Sequence, residues 1–317
     1  MTDPEDLKGL IDEALSLLVP YSQDASLPHQ GATAPLESLL AQCQSYSQRI
    51  VNASAPPLRV IHHFACTGGT LMSRALACQP NALLLSEVDP LSTAKRGNEQ
   101  FAPSDLAFLA STNLRPPTAA TKIGMFCAAL GVLHRDSENR GQHVILRDHT
   151  HSHFCIPSDP TQRPLIKDML TPDFDVCNLI TVRHPLDSLL ALRANGWARA
   201  PVDTLDAYAN RYLMFLNSYP GVDIFRYEDF VRNPDKICHD MAEVLKLDYN
   251  PRWQDLLPIV HLTGDSGRRG THIRPRSRRS MDSLTKADLA KGSAAYEKLC
   301  AELGYDPDPA VDAFQSE

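Results

Sequence analysis

The chain has 317 residues, 43% of them hydrophobic, and a formal net charge of −7. This length suits one large α/β domain, or one domain with an appended segment, and the hydrophobic content is enough for a sizeable core rather than a disordered chain. An acidic protein is a poor non-specific binder of nucleic acid, so we expect no nucleic-acid partner. Residues 267–280 are a local exception, because arginine is frequent there.

The eight cysteines are scattered and contain no CxxC pair. This pattern argues against a structural zinc site and against a compact disulfide framework. The N-terminal residues lack the basic start and the continuous apolar run of a signal peptide, and no segment has the length of a membrane span. We therefore expect a cytoplasmic protein without a membrane span.

Residues 1–50 have helical patterning. Leucine and isoleucine recur at helical spacing up to Pro20, and a second helical stretch runs from about Pro35 to Ile50. A turn-rich break at Ala53–Pro57 separates these helices from the rest of the chain. The sequence thus predicts a helical N-terminal extension over residues 1–57 and a main domain over residues 58–317.

After this break, short apolar runs alternate with helical stretches. The predicted strands are Leu58–Phe64, Ala82–Leu85, Val144–Leu146, Val176–Val182 and Val222–Arg226. The predicted helices are Leu71–Cys78, Leu186–Ala194, Leu205–Asn217, Pro234–Leu247 and a closing helix from about Ser283. Such alternation predicts an α/β fold, with a mostly parallel central sheet and helices on both faces. Ligands of such sheets bind beyond the carboxyl ends of the strands, so residues that follow strands are candidates for a site.

The first predicted strand leads into a glycine loop, Thr67-Gly68-Gly69-Thr70-Leu71, and then into a helix. Glycines let backbone N–H groups approach an anion closely, and the helix adds the positive end of its dipole. The ATPase form of this loop, GxxxxGK[ST], is absent, because no lysine precedes Thr70 and Leu71 replaces the hydroxyl that faces magnesium. The loop favours one terminal phosphate over a metal-bound triphosphate, and an ordinary strand-to-helix turn is the alternative.

Three later segments add to this loop: RHPLDS at 183–188, FRYEDF at 225–230 and GDSGRRG at 264–270. In this order and spacing, the four motifs resemble the sulfotransferases that use 3′-phosphoadenosine 5′-phosphosulfate (PAPS). The resemblance covers roughly residues 58–280. It implies a P-loop NTPase-like sulfotransferase architecture and an enzyme that transfers a sulfuryl group from PAPS to a hydroxyl, with no metal.

The resemblance also implies roles for individual residues. The glycine loop, from Thr67 to Leu71, would hold the 5′-phosphosulfate. Arg183 would bind the 3′-phosphate, since guanidinium can hold two phosphate oxygens at once, and Tyr227 would lie by the adenine. The segment that closes over the 3′-phosphate would supply Arg268, Arg269 and Gly270. Each role has an alternative, namely a strand-end cap for Arg183, a core aromatic for Tyr227 and a solvated basic loop or nucleic-acid patch for the arginines.

Two positions depart from the family pattern. The family's serine eight residues after the arginine is Ala191 here, and Ser188 is the nearest substitute. The lysine or arginine that many relatives have in the phosphate loop is Thr67 here. We predict that Arg147 replaces this cation, because it lies beside His149 on the same strand edge. The other candidates for the replacement are Lys122 and Arg74.

The attacking hydroxyl needs a general base. Relatives use a histidine after a mid-sheet strand or a glutamate after the second strand, and the matching positions here are His149 and Glu87. We predict His149 as the base, since a neutral imidazole near pH 7 suits proton removal, and Glu87 as the second choice.

Several alternatives remain open at this point. The chain could be a nucleotide or small-molecule kinase, a non-catalytic nucleotide-binding relative, or a metal hydrolase if His149, His151 and His153 converge from an extended strand. The acceptor could be a small-molecule or carbohydrate hydroxyl. It could also be anionic and face arginines in the basic segment, namely Arg274, Arg276, Arg278 and Arg279. The N-terminal helices could cover the acceptor pocket or form a homodimer contact.

Overall fold

The structure is a computed structural model that describes residues 56–92, 105–262 and 273–314, together with Ser38. The predicted helices of residues 1–50 lie outside the described residues, so the N-terminal extension stays a prediction. Arg268, Arg269 and Gly270 also lie outside them. Among the described helices, none combines the length and the apolar character needed to cross a membrane.

A five-stranded parallel sheet in the order β2-β3-β1-β4-β5 is the centre of the described part of the chain. Its strands are β1 Leu58–His63, β2 Ala82–Val88, β3 His143–Asp148, β4 Val176–Val182 and β5 Asp223–Arg226. All five predicted strands are present, and β2 and β3 are longer than predicted. β1 is central and buried along its whole length, as expected for a parallel strand covered on both sides.

Twelve α-helices accompany the sheet within the described ranges. They are α1 Gly69–Ala77, α2 Leu106–Ser111, α3 Ala119–Asn139, α4 His151–Phe154, α5 Ile166–Leu170, α6 Pro185–Ala194, α7 Leu205–Asn217, α8 Tyr227–Arg232, α9 Pro234–Val244, α10 Trp253–Leu256, α11 Ser283–Lys291 and α12 Ala294–Leu303. The predicted helix over residues 205–217 has the predicted bounds. The long helix α3 and the short helices α2, α4, α5, α8 and α10 were not predicted, and the closing helix is two helices separated at Gly292 and Ser293.

Helices cover both faces of the sheet, because alternate strand residues point to opposite sides. Ile61, Ile145 and Leu179, from three adjacent strands, pack in one hydrophobic cluster with residues of α1 and α9. The next residue of β4, Ile180, packs instead with α6, α7 and α12. Val144 of β3 packs with α3 and α5. The predicted fold class, an α/β sheet with helices on both faces, is therefore confirmed.

The parallel arrangement brings the carboxyl ends of all strands to one edge of the sheet. In sheet order this edge carries Glu87 near the end of β2, His149 after β3, the glycine loop after β1, Arg183 after β4 and Tyr227 after β5. These positions come from five separate parts of the sequence. The fold thus places most of the predicted site residues side by side.

Candidate active site

A cavity of about 700 Å³ opens at the carboxyl edge of the sheet. The residues around it include the glycine loop and residues from the ends of all strands. Its wall is strongly basic, since its described residues include one carboxylate, Glu87, and the arginines Arg74, Arg147, Arg183, Arg274, Arg276 and Arg279. A basic cavity in an acidic protein indicates an anionic ligand.

The glycine loop is closely packed from both sides. Gly68 has a φ of +83°, and a Cβ atom there would lie 2.2 Å from Cδ2 of Tyr227. A Cβ atom at Gly69 would lie 2.6 Å from the imidazole ring of His63. Both positions therefore require glycine. Helix α1 begins at Gly69, and Gly68 to Leu71 line the cavity. A helix start at a cavity suits an anion, because the first N–H groups of a helix lack partners one turn back and the helix dipole is positive there.

Thr67 is not placed as a hydroxyl donor to a ligand. It lines the cavity, but its side chain is buried and its hydroxyl donates to the carbonyl oxygen of Phe64 at 2.8 Å. Its backbone N–H also bonds to Phe64. The Thr67 hydroxyl is thus bonded within the loop, while Thr70 and Leu71 also line the cavity.

Arg147 is the cation that reaches the glycine loop. It is 4% exposed, and its guanidinium donates to the Thr70 hydroxyl at 2.9 Å and to Nε2 of His63 at 3.0 Å. On its other side it pairs with Oε1 of Glu87 at 2.6 Å. Because a buried guanidinium with fixed partners is already oriented, Arg147 presents a positive charge beside the loop without a further ordering cost.

His63, which sequence reasoning missed, holds Arg147 from below the loop. Burial, followed by the charge of Arg147, lowers the pKa of His63 well below its ordinary value of 6.5. The neutral ring can then accept a hydrogen bond from Arg147 through Nε2. The sequence offered no signal for this role, since His63 is one of two adjacent histidines at the end of a buried strand.

Glu87 has an unusual backbone. Its φ is +61°, in the left-handed region that a residue with a side chain seldom adopts, and the β2–β3 register shifts between Leu85 and Val88 at the same place. This irregularity turns the carboxylate toward the cavity, where Oε2 lies 3.3 Å from Nε2 of His149 and Oε1 meets Arg147. Strained backbone of this kind is concentrated at functional sites.

His149 and Glu87, the two base candidates, are therefore brought together. Both line the cavity, and their side chains are 25% and 23% exposed. If Nε2–H of His149 faces Glu87, the other ring nitrogen, Nδ1, is the one able to accept a proton. Together with Arg147 they form a group of candidate catalytic residues, Glu87, Arg147 and His149, which we call the catalytic cluster.

The extended strand on which the metal hypothesis depended is not formed, because the chain turns into α4 at His151. The ring centroids of His149 and His151 are 6.2 Å apart, while His153 is buried and bonds through Nε2 to the carbonyl oxygen of Pro160. Asp148 turns inward to His62 Nδ1 at 2.8 Å. The imidazoles of His149, His151 and His153 thus do not converge.

Arg183 and Tyr227 form the other side of the cavity. The guanidinium of Arg183 lies 4.8 Å from the centroid of the Tyr227 ring, which in turn packs on Gly68. The neighbouring Glu228 is buried and accepts hydrogen bonds from the His184 N–H at 3.1 Å and the Tyr305 hydroxyl at 2.5 Å. Burial raises the pKa of Glu228. These buried bonds fix the backbone that carries both predicted nucleotide residues.

Ser188 is not brought to the cavity. It is fully buried in α6, and the residue of that helix that lines the cavity is Ala191, at the position of the family's serine. Arg183 precedes α6 and Ala191 lies within it, and both line the cavity, whereas Ser188 is packed into the core. The Ser188 hydroxyl therefore lies away from the cavity, and this geometry gives no support to its predicted role as a nucleotide ligand.

The basic segment contributes in two ways. Arg274, Arg276 and Arg279 are exposed and line the cavity. Arg278 instead points inward, pairs with Asp187 at 3.0 Å and is 8% exposed, so it has a structural role.

The other candidates for the replacement cation are placed differently from Arg147. The guanidinium of Arg74 donates to the carbonyl oxygens of Leu257 and Val260. Lys122 lies on α3 and is absent from the cavity's described lining residues. Arg147 is thus the candidate whose guanidinium reaches the glycine loop.

The comparisons with known proteins concern the fold. No protein-family model and no curated protein matches the sequence. Solved structures with a similar chain path include the sulfotransferase domain from the curacin biosynthetic pathway, at 16% identity and a TM-score of 0.48 over 80% of this chain and 99% of that one. The sulfotransferase domain of the Synechococcus PCC 7002 olefin synthase has 19% identity and a TM-score of 0.44 over 80% and 97%.

A sulfotransferase from Alicyclobacillus acidocaldarius has 17% identity and a TM-score of 0.40 over 80% of this chain and 98% of that one. The four motifs resemble the same family. The TM-scores of these three structures are below 0.5, so the likenesses concern the chain path, and the evidence for function lies in the residues of the cavity.

Proposed function

We propose that this protein is a sulfotransferase that moves the sulfuryl group of PAPS to a hydroxyl of an acceptor. One observation carries the proposal: a single basic cavity contains both the catalytic cluster and the predicted nucleotide residues. In sheet order these are Glu87, His149, Arg147, the glycine loop, Arg183 and Tyr227.

The cavity suits a nucleotide with phosphate groups at the 3′ and 5′ positions of its ribose. The N–H groups at the start of α1 and the Arg147 guanidinium would hold the 5′-phosphosulfate. Arg183 would bind the 3′-phosphate with bidentate hydrogen bonds. The base would lie near the Tyr227 ring, on which Arg183 stacks. Arg276 and Arg279 supply further positive charge at the cavity wall.

In the reaction, the acceptor oxygen attacks sulfur. The bond from sulfur to the bridging oxygen of the phosphosulfate breaks, and 3′-phosphoadenosine 5′-phosphate (PAP) leaves. His149 would take the proton of the acceptor hydroxyl, and Arg147 would stabilise the charge that develops on the leaving phosphate. Glu87 would orient His149 through Nε2 and hold Arg147 in place. No step needs a metal to balance the reaction.

The test of the nucleotide site is thermal unfolding with PAP, and with ATP and magnesium as the comparison. A ligand at a hundredfold its Kd stabilises the folded state by about 2.7 kcal/mol, which raises the melting temperature. We expect the rise with PAP, its loss in Arg183→Ala and its retention in Arg252→Ala, whose side chain is 84% exposed.

A rise with ATP–magnesium that exceeds the rise with PAP would support a phosphoryl transferase instead. PAP binding without transfer from PAPS to any member of a panel of phenols, alcohols and sugars would support a non-catalytic relative.

A further inference from the structure

The C-terminal segment, residues 305–314, returns to the cavity and places Phe314 in its wall. The Arg232 guanidinium lies 5.7 Å from the centroid of the Phe314 ring and donates to the carbonyl oxygen of Ala313 at 3.1 Å. Arg232 belongs to α8, which also carries the cavity residues Tyr227 and Val231. Phe314 therefore lies on the nucleotide side of the cavity and not beside the catalytic cluster.

A buried network holds this segment in place. Arg278 donates to the carbonyl oxygen of Pro309 at 2.7 Å, and its backbone N–H donates to Asp312 at 3.2 Å. The same guanidinium pairs with Asp187 of α6, the helix that follows Arg183. Because both partners of this ion pair are less than a tenth exposed, the bonds are shielded from water. Arg278 thus links the C-terminal segment, which ends at Phe314, to the helix that follows Arg183.

The chemistry of this part of the cavity differs from the rest. Around the glycine loop and the basic segment the wall is cationic, whereas Tyr227, Val231 and Phe314 give it apolar and aromatic surface next to Arg183. A nucleotide likewise has two chemically different parts, the anionic phosphates and the flat base. Aromatic side chains bind the face of a base by stacking.

We propose that Phe314 is a wall of the nucleobase site and determines the preference for a nucleotide that carries an aromatic base. This inference rests on the proposed function. Phe314 acts on binding of the base and has no part in proton transfer or in holding the phosphates.

The experiment measures the Kd of two ligands, PAP and the base-free ribose 3,5-bisphosphate, by calorimetry with the full chain. We expect Phe314→Ala to weaken PAP binding about tenfold or more and to change binding of the base-free ligand less than twofold. Phe314→Trp should retain PAP binding. Leu284→Ala is the matched control, since Leu284 is 66% exposed and outside the described cavity lining.

The outcomes separate this inference from the proposed function. If the unmodified protein binds PAP and Phe314→Ala binds it equally well, the inference is wrong and the function stands. If the variant weakens both ligands by the same factor, Phe314 only supports the fold of the cavity, and the inference is again wrong. If the unmodified protein binds neither ligand, the proposed function and this inference both fail.

Discussion

The two sides of the cavity are built differently. On the side of β2 and β3, the catalytic cluster consists of partly exposed or charged groups that contact one another and, through Arg147, also Thr70 and His63, and Glu87 has a left-handed backbone. On the side of β4 and β5, the backbone around Arg183 and Tyr227 is braced by buried bonds from Glu228, His184 and the C-terminal segment.

This difference indicates that the two sides contribute differently to stability and to turnover. Changes in the catalytic cluster should reduce turnover much more than PAP binding. Changes in the bracing of the nucleotide side should alter stability and its dependence on pH. The following predictions test this division, in order of decreasing expected effect.

The largest effect is expected for His149→Ala. Loss of a general base should lower kcat by about 10²–10⁴-fold, while the Kd of PAP changes little because His149 does not hold the phosphates. Turnover is measured as PAP release from PAPS with an accepted acceptor. His239→Ala, at a histidine that is 54% exposed, is the control. If His149→Ala is fully active and Glu87→Gln is inactive, Glu87 rather than His149 is the general base.

Arg147→Ala should lower kcat by about 10²–10³-fold, since one preorganised cation beside the leaving phosphate is removed. Arg147→Lys should recover only part of the rate, because one ammonium cannot reach Thr70, His63 and Glu87 together. The control is Arg140→Ala, at an arginine that is 58% exposed. Unchanged turnover in Arg147→Ala would show that another group replaces the missing loop cation.

On the nucleotide side, His184 should make stability depend on pH. Burial and the charge of Arg278 lower the pKa of His184 from 6.5 to about 4. Because the unfolded state then binds the proton more readily, stability should be lost as pH falls through 6.5 toward 4, by roughly 3 kcal/mol. Urea unfolding of His184→Asn should show less of this loss, whereas His239→Asn should keep it. If the free energy of unfolding depends on pH equally in the unmodified protein, His184→Asn and His239→Asn, the bracing role of His184 is contradicted.

The smallest effect concerns the backbone of Glu87. Glu87→Gly and Glu87→Ala both remove the carboxylate, so the difference in their free energies of unfolding reports the left-handed conformation less the extra unfolded-state entropy of glycine. We expect the glycine variant to be more stable by about 1 kcal/mol, although both variants lose turnover. Urea unfolding measures the difference, and an alanine variant as stable as the glycine variant would show that β2 relaxes out of this conformation.

Helix α3 shows where pattern reading failed. Its buried residues Cys127, Leu130, His134 and Ser137 follow helical spacing, but two of them are polar and the helix contains Gly124 and Gly131. A weak apolar stripe of this kind does not distinguish a helix from a loop in the sequence. The helix forms because its one apolar side covers β3 and packs with α5.

Within the site, Ser188 and Arg278 show the same limit. Ser188 was predicted as the substitute for the family's serine and Arg278 as one of the arginines that could face an anionic acceptor, yet one faces the core and the other forms a buried ion pair. The residue types suited these roles. The direction of the side chain depended on which neighbours packed around it.

The sequence by itself determined the five strands, their parallel connection by helices, and the positions after strands where Arg183, His149 and the glycine loop would meet. These features follow from local periodicity and from the short reach of each strand-to-helix turn. Only the tertiary structure decided the left-handed Glu87, the attachment of Arg147 to Thr70 and the return of Phe314 to the cavity. The reason is physical: these contacts join residues far apart along the chain, and the packing of the whole core selects them.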